Sequence, residues 1–413
     1  MLPAERRASA SLAFIFALRM LGLFLVLPVF ALEAAKYPGG GDAAMVGLAI
    51  GIYGLTQGLL QIPFGMASDR FGRKRVIVTG LIIFAAGSLL AAAAPTLPWL
   101  LAGRALQGAG AVSAAVTALL ADLTRDSVRT KAMALVGASI GLMFALSLVV
   151  APPLAASIGL SGLFVLTGVL ALGGIGVVIW AVPPAPVLVG ATGSRLKGLS
   201  QVLTHPALLR LNVGVFVLHA VQLAMWVAVP ALLVQAGLAK GAHWQAYLPA
   251  VVLSFGFMGL VFALERRGQL RGVFLLSIGL ILLVQLGFAV AVGQTPGSTP
   301  LWALGLLLFV FFCGFNALEA TQPSLVTRLA PVATRGAALG VYNTLQSLGF
   351  FTGGALGGWL VKSAGPQVLF WVCAGAMLLW LMVAWGMTTG TVTGQATDNT
   401  PQGKAAALPL NQP

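Results

Sequence analysis

The sequence predicts an all-α polytopic membrane protein: twelve transmembrane helices in two pseudo-symmetric six-helix bundles. Three observations predict it. The composition can be solvated only by lipid, a train of apolar stretches is long enough to cross a bilayer, and a short motif recurs in the second half. Of the 413 residues, 59% are hydrophobic and 8% charged, against roughly 25% charged in soluble domains. So small a charged fraction cannot clothe a water-exposed surface. The 52 glycines and 22 prolines fit the same reading, because both are commoner in membrane helices and glycine lets helix backbones approach closely.

A span needs about 20 mostly apolar residues to cross some 30 Å of hydrocarbon. Twelve stretches qualify, at about 12–34, 44–66, 76–94, 98–120, 131–155, 161–182, 207–237, 246–264, 272–292, 301–324, 336–361 and 367–388. Lipid cannot satisfy open strand edges, and a barrel would show alternating segments about half as long, so the stretches are helices. Arg6 and Arg7 ahead of the first stretch resemble the start of a leader. The apolar run continues to Leu32 without a small-residue cleavage pattern, so it reads as a retained span. The expected organisation is a bundle at 1–182, a cytoplasmic linker at 183–206 opening with Pro183-Pro184, a bundle at 207–388 and a disordered cytoplasmic tail at 389–413.

Charge placement sets the orientation. Arg70, Arg73, Lys74, Arg75, Arg125, Arg129, Lys131, Arg195, Lys197, Arg266, Arg267, Arg271, Arg328 and Arg335 fall on one side, and only Lys36, Lys240 and Lys362 on the other. The basic side is expected to be cytoplasmic, with both termini inside and the protein in the inner membrane. The net charge of +14 thus lies in short loops. No basic face with interleaved aromatics exists, which excludes nucleic acid as a partner. Cys313 and Cys373 lie in apolar runs and read as small core residues. Three scattered histidines make no metal cluster, and no nucleotide loop or nucleophile–base set is visible. Neither an enzyme nor a cofactor is expected, and ATP-driven transport is excluded.

The halves resemble each other. Ala67-Ser68-Asp69-Arg70-Phe71-Gly72 after span two is matched by Ala263-Leu264-Glu265-Arg266-Arg267-Gly268 after span eight. Lys131-Ala132-Met133-Ala134-Leu135, opening span five, is matched by Arg335-Gly336-Ala337-Ala338-Leu339, opening span eleven. Parallel repeats of this kind place a site between them near the midplane, opened alternately to each side.

The longest motif is Gly65-Met66-Ala67-Ser68-Asp69-Arg70-Phe71-Gly72-Arg73-Lys74-Arg75. Gly65 allows close helix approach and Gly72 a tight turn, while Asp69 can face the positive end of a helix dipole. Basic residues alone would satisfy the positive-inside rule, so Asp69 asks for another reason. The stretch resembles the G-x-x-x-D-R-x-G-R-K loop of the major facilitator superfamily. That resemblance implies a conformational latch of Gly65, Asp69, Arg70, Gly72, Arg73 and Asp122. Within it Arg73 pairs with Asp122 in the outward-open state, and Asp69 meets the start of span eleven near Gly336. Arg104-Ala105-Leu106-Gln107-Gly108-Ala109-Gly110 is similar to the superfamily's R-x-x-Q-G-x-G, which implies a part for Arg104 in proton coupling; snorkelling to the interface is the plainer reading. Span five departs from the antiporter signature, with Gly141 and then Ala151-Pro152-Pro153 where glycine should precede proline. Phe16-Ala17-Leu18-Arg19-Met20-Leu21-Gly22, Gln61-Ile62-Pro63-Phe64-Gly65 and Phe315-Asn316 with Glu319 resemble the YajR-type branch of drug–proton antiporters. The soluble C-terminal domain of some of those relatives is not expected here.

Few charges fall inside the spans. Burial in hydrocarbon disfavours an ionised carboxyl, so Glu319 in span ten is a candidate proton carrier, or else a neutral acid that ties helices. His219 in span seven is a weaker candidate, since a lone histidine is more often a satisfied core residue. Arg19 is a candidate for an anionic substrate group or for a carboxylate across the cavity, and Glu33 reads as an interfacial charge open to water. Tyr53, Gln57, Gln61, Gln107, Asn212, Gln222, Trp226, Asn316, Tyr342, Asn343 and Gln346 are the remaining cavity candidates, polar points in a mostly apolar pocket suited to hydrophobic or amphipathic compounds. The expected function is secondary active transport: proton-coupled efflux of such small molecules by a monomer. A uniporter or an importer of an anionic metabolite is the alternative, and a non-transporting membrane sensor the next.

Overall fold

The computed structural model describes residues 1–184, 195–295, 297–331 and 334–387. Linker residues 185–194 and the tail expected at 389–413 lie outside the described residues. Those described are helical, with no strand among them. Span one is Pro3–Phe24 continued by Leu27–Ala34; span two is Ala43–Phe71, span three Arg73–Ala92, and span four Leu97–Ala109 continued by Ser113–Asp122. Spans seven to ten are Pro206–Gln235, Trp244–Arg266, Leu270–Gly293 and Leu301–Leu329, and span twelve is Pro366–Trp385.

Ten helical stretches are long and apolar enough to cross a membrane, and two features bring these to the expected twelve. Asp126–Gly176 is one 51-residue helical run turned at Gly159, where φ is 67°, so it contains spans five and six. Span eleven, Arg335–Ala364, is diluted by glycine and polar residues and packs against spans two and seven. Spans one and seven are the most buried, at 78% and 72% of their apolar windows, and span eight is among the least, at 28%. Central and lipid-facing helices differ in this way. Trp99, Trp302 and Trp359 at one end and Trp180 and Trp385 at the other are exposed, as interfacial tryptophans are.

The repeat is written into the backbone. Gly39 and Gly237 have φ of 89° and 88°, Gly72 and Gly268 of 96° and 76°, and Gly159 and Gly365 of 67° and 85°. Each pair follows the same span of its bundle, and left-handed backbone there favours glycine. Two spans are interrupted. Pro28 cannot donate to the span-one ladder, and its ring would crowd the carbonyl four residues back. Span four breaks at Gly110, with ψ of 50°. A Cβ on Gly108 would stand 2.2 Å from the Tyr53 carbonyl oxygen, and one on Gly110 2.4 Å from that of Gly80. These two glycines of the R-x-x-Q-G-x-G stretch let span four sink against spans two and three.

The bundles meet toward the arginine-poor end. A Cβ on Gly47, Gly51 or Gly54 of span two would stand 2.3, 2.6 or 2.3 Å from the carbonyl oxygen of Gly354, Phe351 or Ser347 of span eleven. Asp42 Oδ2 and Lys362 Nζ, 2.7 Å apart, tie the ends of the same two helices. Deeper in, Phe144 of span five lies between Phe312 and Phe315 of span ten, with ring centroids 6.3 and 5.8 Å away, and against Phe24 of span one at 5.0 Å. Cβ atoms on Gly137 and Gly141 of span five, Gly256 and Gly259 of span eight, or Gly336 and Gly340 of span eleven would meet nothing within 4 Å, so none of these glycines carries such a contact toward the arginine-rich end.

Candidate functional site

The long motif folds into a compact charged cluster. Gly72 takes the positive φ that turns span two into span three, which brings Arg73 back beneath Asp69. Arg73 pairs with Asp69, and its Nε lies 2.9 Å from Asp122 Oδ2. It also donates through Nη1 to Ser68 Oγ at 2.7 Å. Ser68 was not a sequence candidate; it lies five residues before Arg73, and only the turn at Gly72 brings the two together. One expectation is corrected. Gly65 makes only ordinary contact, 3.5 Å from Ala114, so close approach is not its reason. The expected Arg73–Asp122 pair is formed in this structure. Arg70 is exposed and lies over its neighbour Phe71, 5.4 Å from the ring centroid.

In the first bundle two arginines are fully buried. Arg19 donates to Ser113 Oγ at 2.8 Å, Tyr53 Oη at 2.6 Å and Gln57 Oε1 at 3.2 Å. Arg104 donates to Gln107 Oε1 at 2.8 Å and weakly to the Ile50 carbonyl at 3.4 Å. Gln107 in turn donates to Ser88 Oγ. Tyr53 joins the two, accepting from Arg19 while its ring lies 5.0 Å from the Arg104 guanidinium. Arg104 therefore does not snorkel. Glu33 also departs from expectation: it is 6% exposed and pairs with Lys36, rather than standing open to water.

In the second bundle, His219 Nε2 lies 3.0 Å from Glu319 Oε1, an ion-pair distance without hydrogen-bond alignment. His219 Nδ1 is 2.8 Å from the Val215 carbonyl, and Gln346 Nε2 is 2.8 Å from His219 Nε2. A carbonyl can only accept, so Nδ1 carries a hydrogen. The Gln346 amide and the Glu319 carboxylate thus meet the same ring nitrogen, Nε2. Glu319 is 31% exposed and His219 2%, so the carboxyl is the more accessible of the two and the imidazole is buried behind it. Rings of Phe315 and Phe350 flank the imidazole edge-on.

The other cavity candidates divide by burial. Asn316, which donates to Ser254 Oγ at 2.9 Å, Asn343 and Gln346 are half-buried beside Glu319. Gln61, Asn212, Gln222, Trp226 and Tyr342 are buried in helix packing, Trp226 edge-on to Tyr247. Ser113 and Phe144 escaped sequence reasoning. One serine or phenylalanine in an apolar run carries no signal until its neighbours are known.

The Major Facilitator Superfamily model matches residues 12–354 and 264–410. The chain belongs to the major facilitator superfamily. Among its relatives, the inner membrane transport protein YajR of Escherichia coli is 43% identical over 389 residues, covering 93% of this chain and 84% of that protein. The multidrug resistance protein MdtH of Aeromonas salmonicida is 28% identical, covering 91% and 90%. A D-xylose–proton symporter structure superposes with a TM-score of 0.73 at 16% identity over 93% of this chain and 99% of that one. As a superfamily member the chain is a multi-pass membrane transporter of small-molecule substrates.

Proposed function

We propose that the protein is a proton-coupled exporter of hydrophobic or amphipathic small molecules, working as a monomer by alternating access in the inner membrane with both termini in the cytoplasm. On that orientation the glycine contacts between spans two and eleven lie on the side away from the cytoplasm, as a state loading substrate from inside requires. The observation that carries the reading is the His219–Glu319 contact at 3.0 Å in the second bundle. It sets two ionisable side chains against each other and joins spans seven and ten, which can shift between states. A proton lost to the cytoplasm from this pair changes the charge at the cavity wall as the bundles rock. The Asp69–Arg73–Asp122 cluster serves as the latch region beneath the first bundle. The multidrug name of one relative and the apolar, aromatic packing of Phe144, Phe312 and Phe315 where spans five and ten meet support drug-like substrates.

The test is efflux of ethidium from vesicles with an imposed pH gradient, for wild type, Glu319→Gln and His219→Gln. Export that follows the gradient in wild type and is lost in Glu319→Gln supports the reading. Transport indifferent to the gradient, with Glu319→Gln behaving normally, would establish uniport instead.

A further inference from the structure

Proton exchange at Glu319 makes no use of the two cations buried in the first bundle. Arg19 and Arg104 are each 1% exposed. Their bonds run to Ser113, Tyr53, Gln57, Gln107 and one carbonyl, and among the described residues no carboxylate touches either. Neutral acceptors solvate a guanidinium without cancelling its charge, so the region carries a standing positive potential in a low-dielectric wall. Each arginine also keeps its Nε without a protein partner.

A second feature adds to it. The break in span four places the start of Ser113–Asp122 inside the bundle, and Arg19 Nη1 binds Ser113, the first residue of that helix, at 2.8 Å. The first-turn amides of a helix have no partner within it and carry the positive end of its dipole. Arginine, helix start and serine hydroxyl therefore converge where an anion is favoured. Gln57 and Ser113 are the least buried members of the group, at 8% and 6% exposed. The Gln57 bond, at 3.2 Å, is the longest of the three that Arg19 makes.

We propose that this is an anion site that receives the acidic group, a carboxylate or sulfonate, of an amphipathic substrate. Arg19 and the Ser113 end of the helix bind the acid, and Gln57 swings aside to admit it. Arg104, across the Tyr53 ring, adds its charge at longer range. The assignment to a substrate rests on the export reading, while the site itself does not depend on proton coupling.

Thermal melting of the purified full-length protein in neutral detergent tests it, with sodium octanesulfonate, an octyltrimethylammonium salt of the same chain length, and sodium chloride alone. Octanesulfonate should raise Tm progressively with concentration, as a ligand of the folded state does. The ammonium salt should not. Arg19→Gln and Ser113→Ala should each raise the half-saturating octanesulfonate concentration about tenfold, the size of one lost hydrogen bond; Ser113→Ala keeps the test valid should Arg19→Gln misfold. Equal stabilisation by the ammonium salt, or an unchanged response in both variants, overturns the site. A full shift with chloride alone, to which octanesulfonate adds nothing, overturns its assignment to a substrate. No gradient or proton flux enters the measurement, so its failure is separable from failure of the export assay.

Discussion

In the first bundle Arg19 and Arg104 sit buried with neutral partners, whereas in the second Glu319 and His219 face each other across spans seven and ten. The backbones are copies down to their left-handed glycines, yet the ionisable groups are not. One bundle carries charge that cannot be discharged, because arginine keeps its proton at any working pH. The other carries the groups that, on our proposal, exchange one. The difference teaches that duplication supplied the scaffold, while the chemistry of each half was set afterwards by single side chains. On our reading the first bundle fixes the field and the second changes it.

That comparison is broken most directly at the proton pair. Glu319→Gln should cut gradient-driven ethidium export about a hundredfold, the usual range for a lost acid–base group, and leave zero-gradient counterflow in place. Arg104→Gln should impair both modes together. Should Arg104→Gln selectively uncouple transport from the gradient, the division of labour between the bundles is wrong.

The contact between the bundles comes next. A side chain on Gly51 collides with the Phe351 carbonyl, since its Cβ alone would stand 2.6 Å away. Overpacking of this kind costs about 1–3 kcal/mol, enough to invert a two-state population. Gly51→Val should hold the arginine-poor end apart, read as longer spin-label distances between the ends of spans two and eleven, with transport falling in proportion.

The two charged clusters at the arginine-rich end sharpen the comparison further. Arg73 is 5% exposed and bound by two carboxylates and Ser68, whereas Arg328, 46% exposed, meets Glu265 alone at 2.6 Å. Exposed pairs contribute about 0–1 kcal/mol, and removing one partner of a buried pair costs about 3–5 kcal/mol. Asp122→Asn should therefore slow transport strongly, with Asp69→Asn similar. Glu265→Gln should leave the rate within about twofold. Equal losses at Asp122 and Glu265 would show that the halves carry equivalent latches.

How much of this was legible follows from what periodicity and motif spacing report. Twelve spans, the repeat and the long motif are local patterns, so they could be read directly. Span eleven was found by length even though its glycines dilute its hydropathy. Those same glycines, spaced to meet Gly47, Gly51 and Gly54, mark the contact between the bundles, but only the partner helix shows it. His219 and Glu319 lie a hundred positions apart, and nothing local says that they touch. Burial also escaped the sequence: Arg19, Tyr53, Gln57 and Gln107 read as polar points of a cavity, and in this structure each is buried and hydrogen-bonded within its bundle.

The smallest effect is expected at the Asp42–Lys362 pair, and its pH dependence has a definite sign. Hydrogen bonding from Lys362 first, and then from the amides of Ala44 and Met45, holds the Asp42 carboxyl below its ordinary value of 3.8. The amides belong to the helix that Asp42 caps, so they persist when the bundles separate, and only the Lys362 share is lost on opening. A carboxyl depressed in the closed state favours that state fully above its ordinary value, and the preference fades as pH falls through the lowered one. Between pH 5 and 8 the arginine-poor end should thus show no titration from this pair. In stronger acid it should open, and added salt should weaken the tie at every pH because both partners reach water. Spin-label distances between spans two and eleven measure this directly. Lys362→Gln should shift the open population slightly at neutral pH and abolish the salt dependence. A salt response that survives in Lys362→Gln would place the electrostatic tie between the bundles elsewhere.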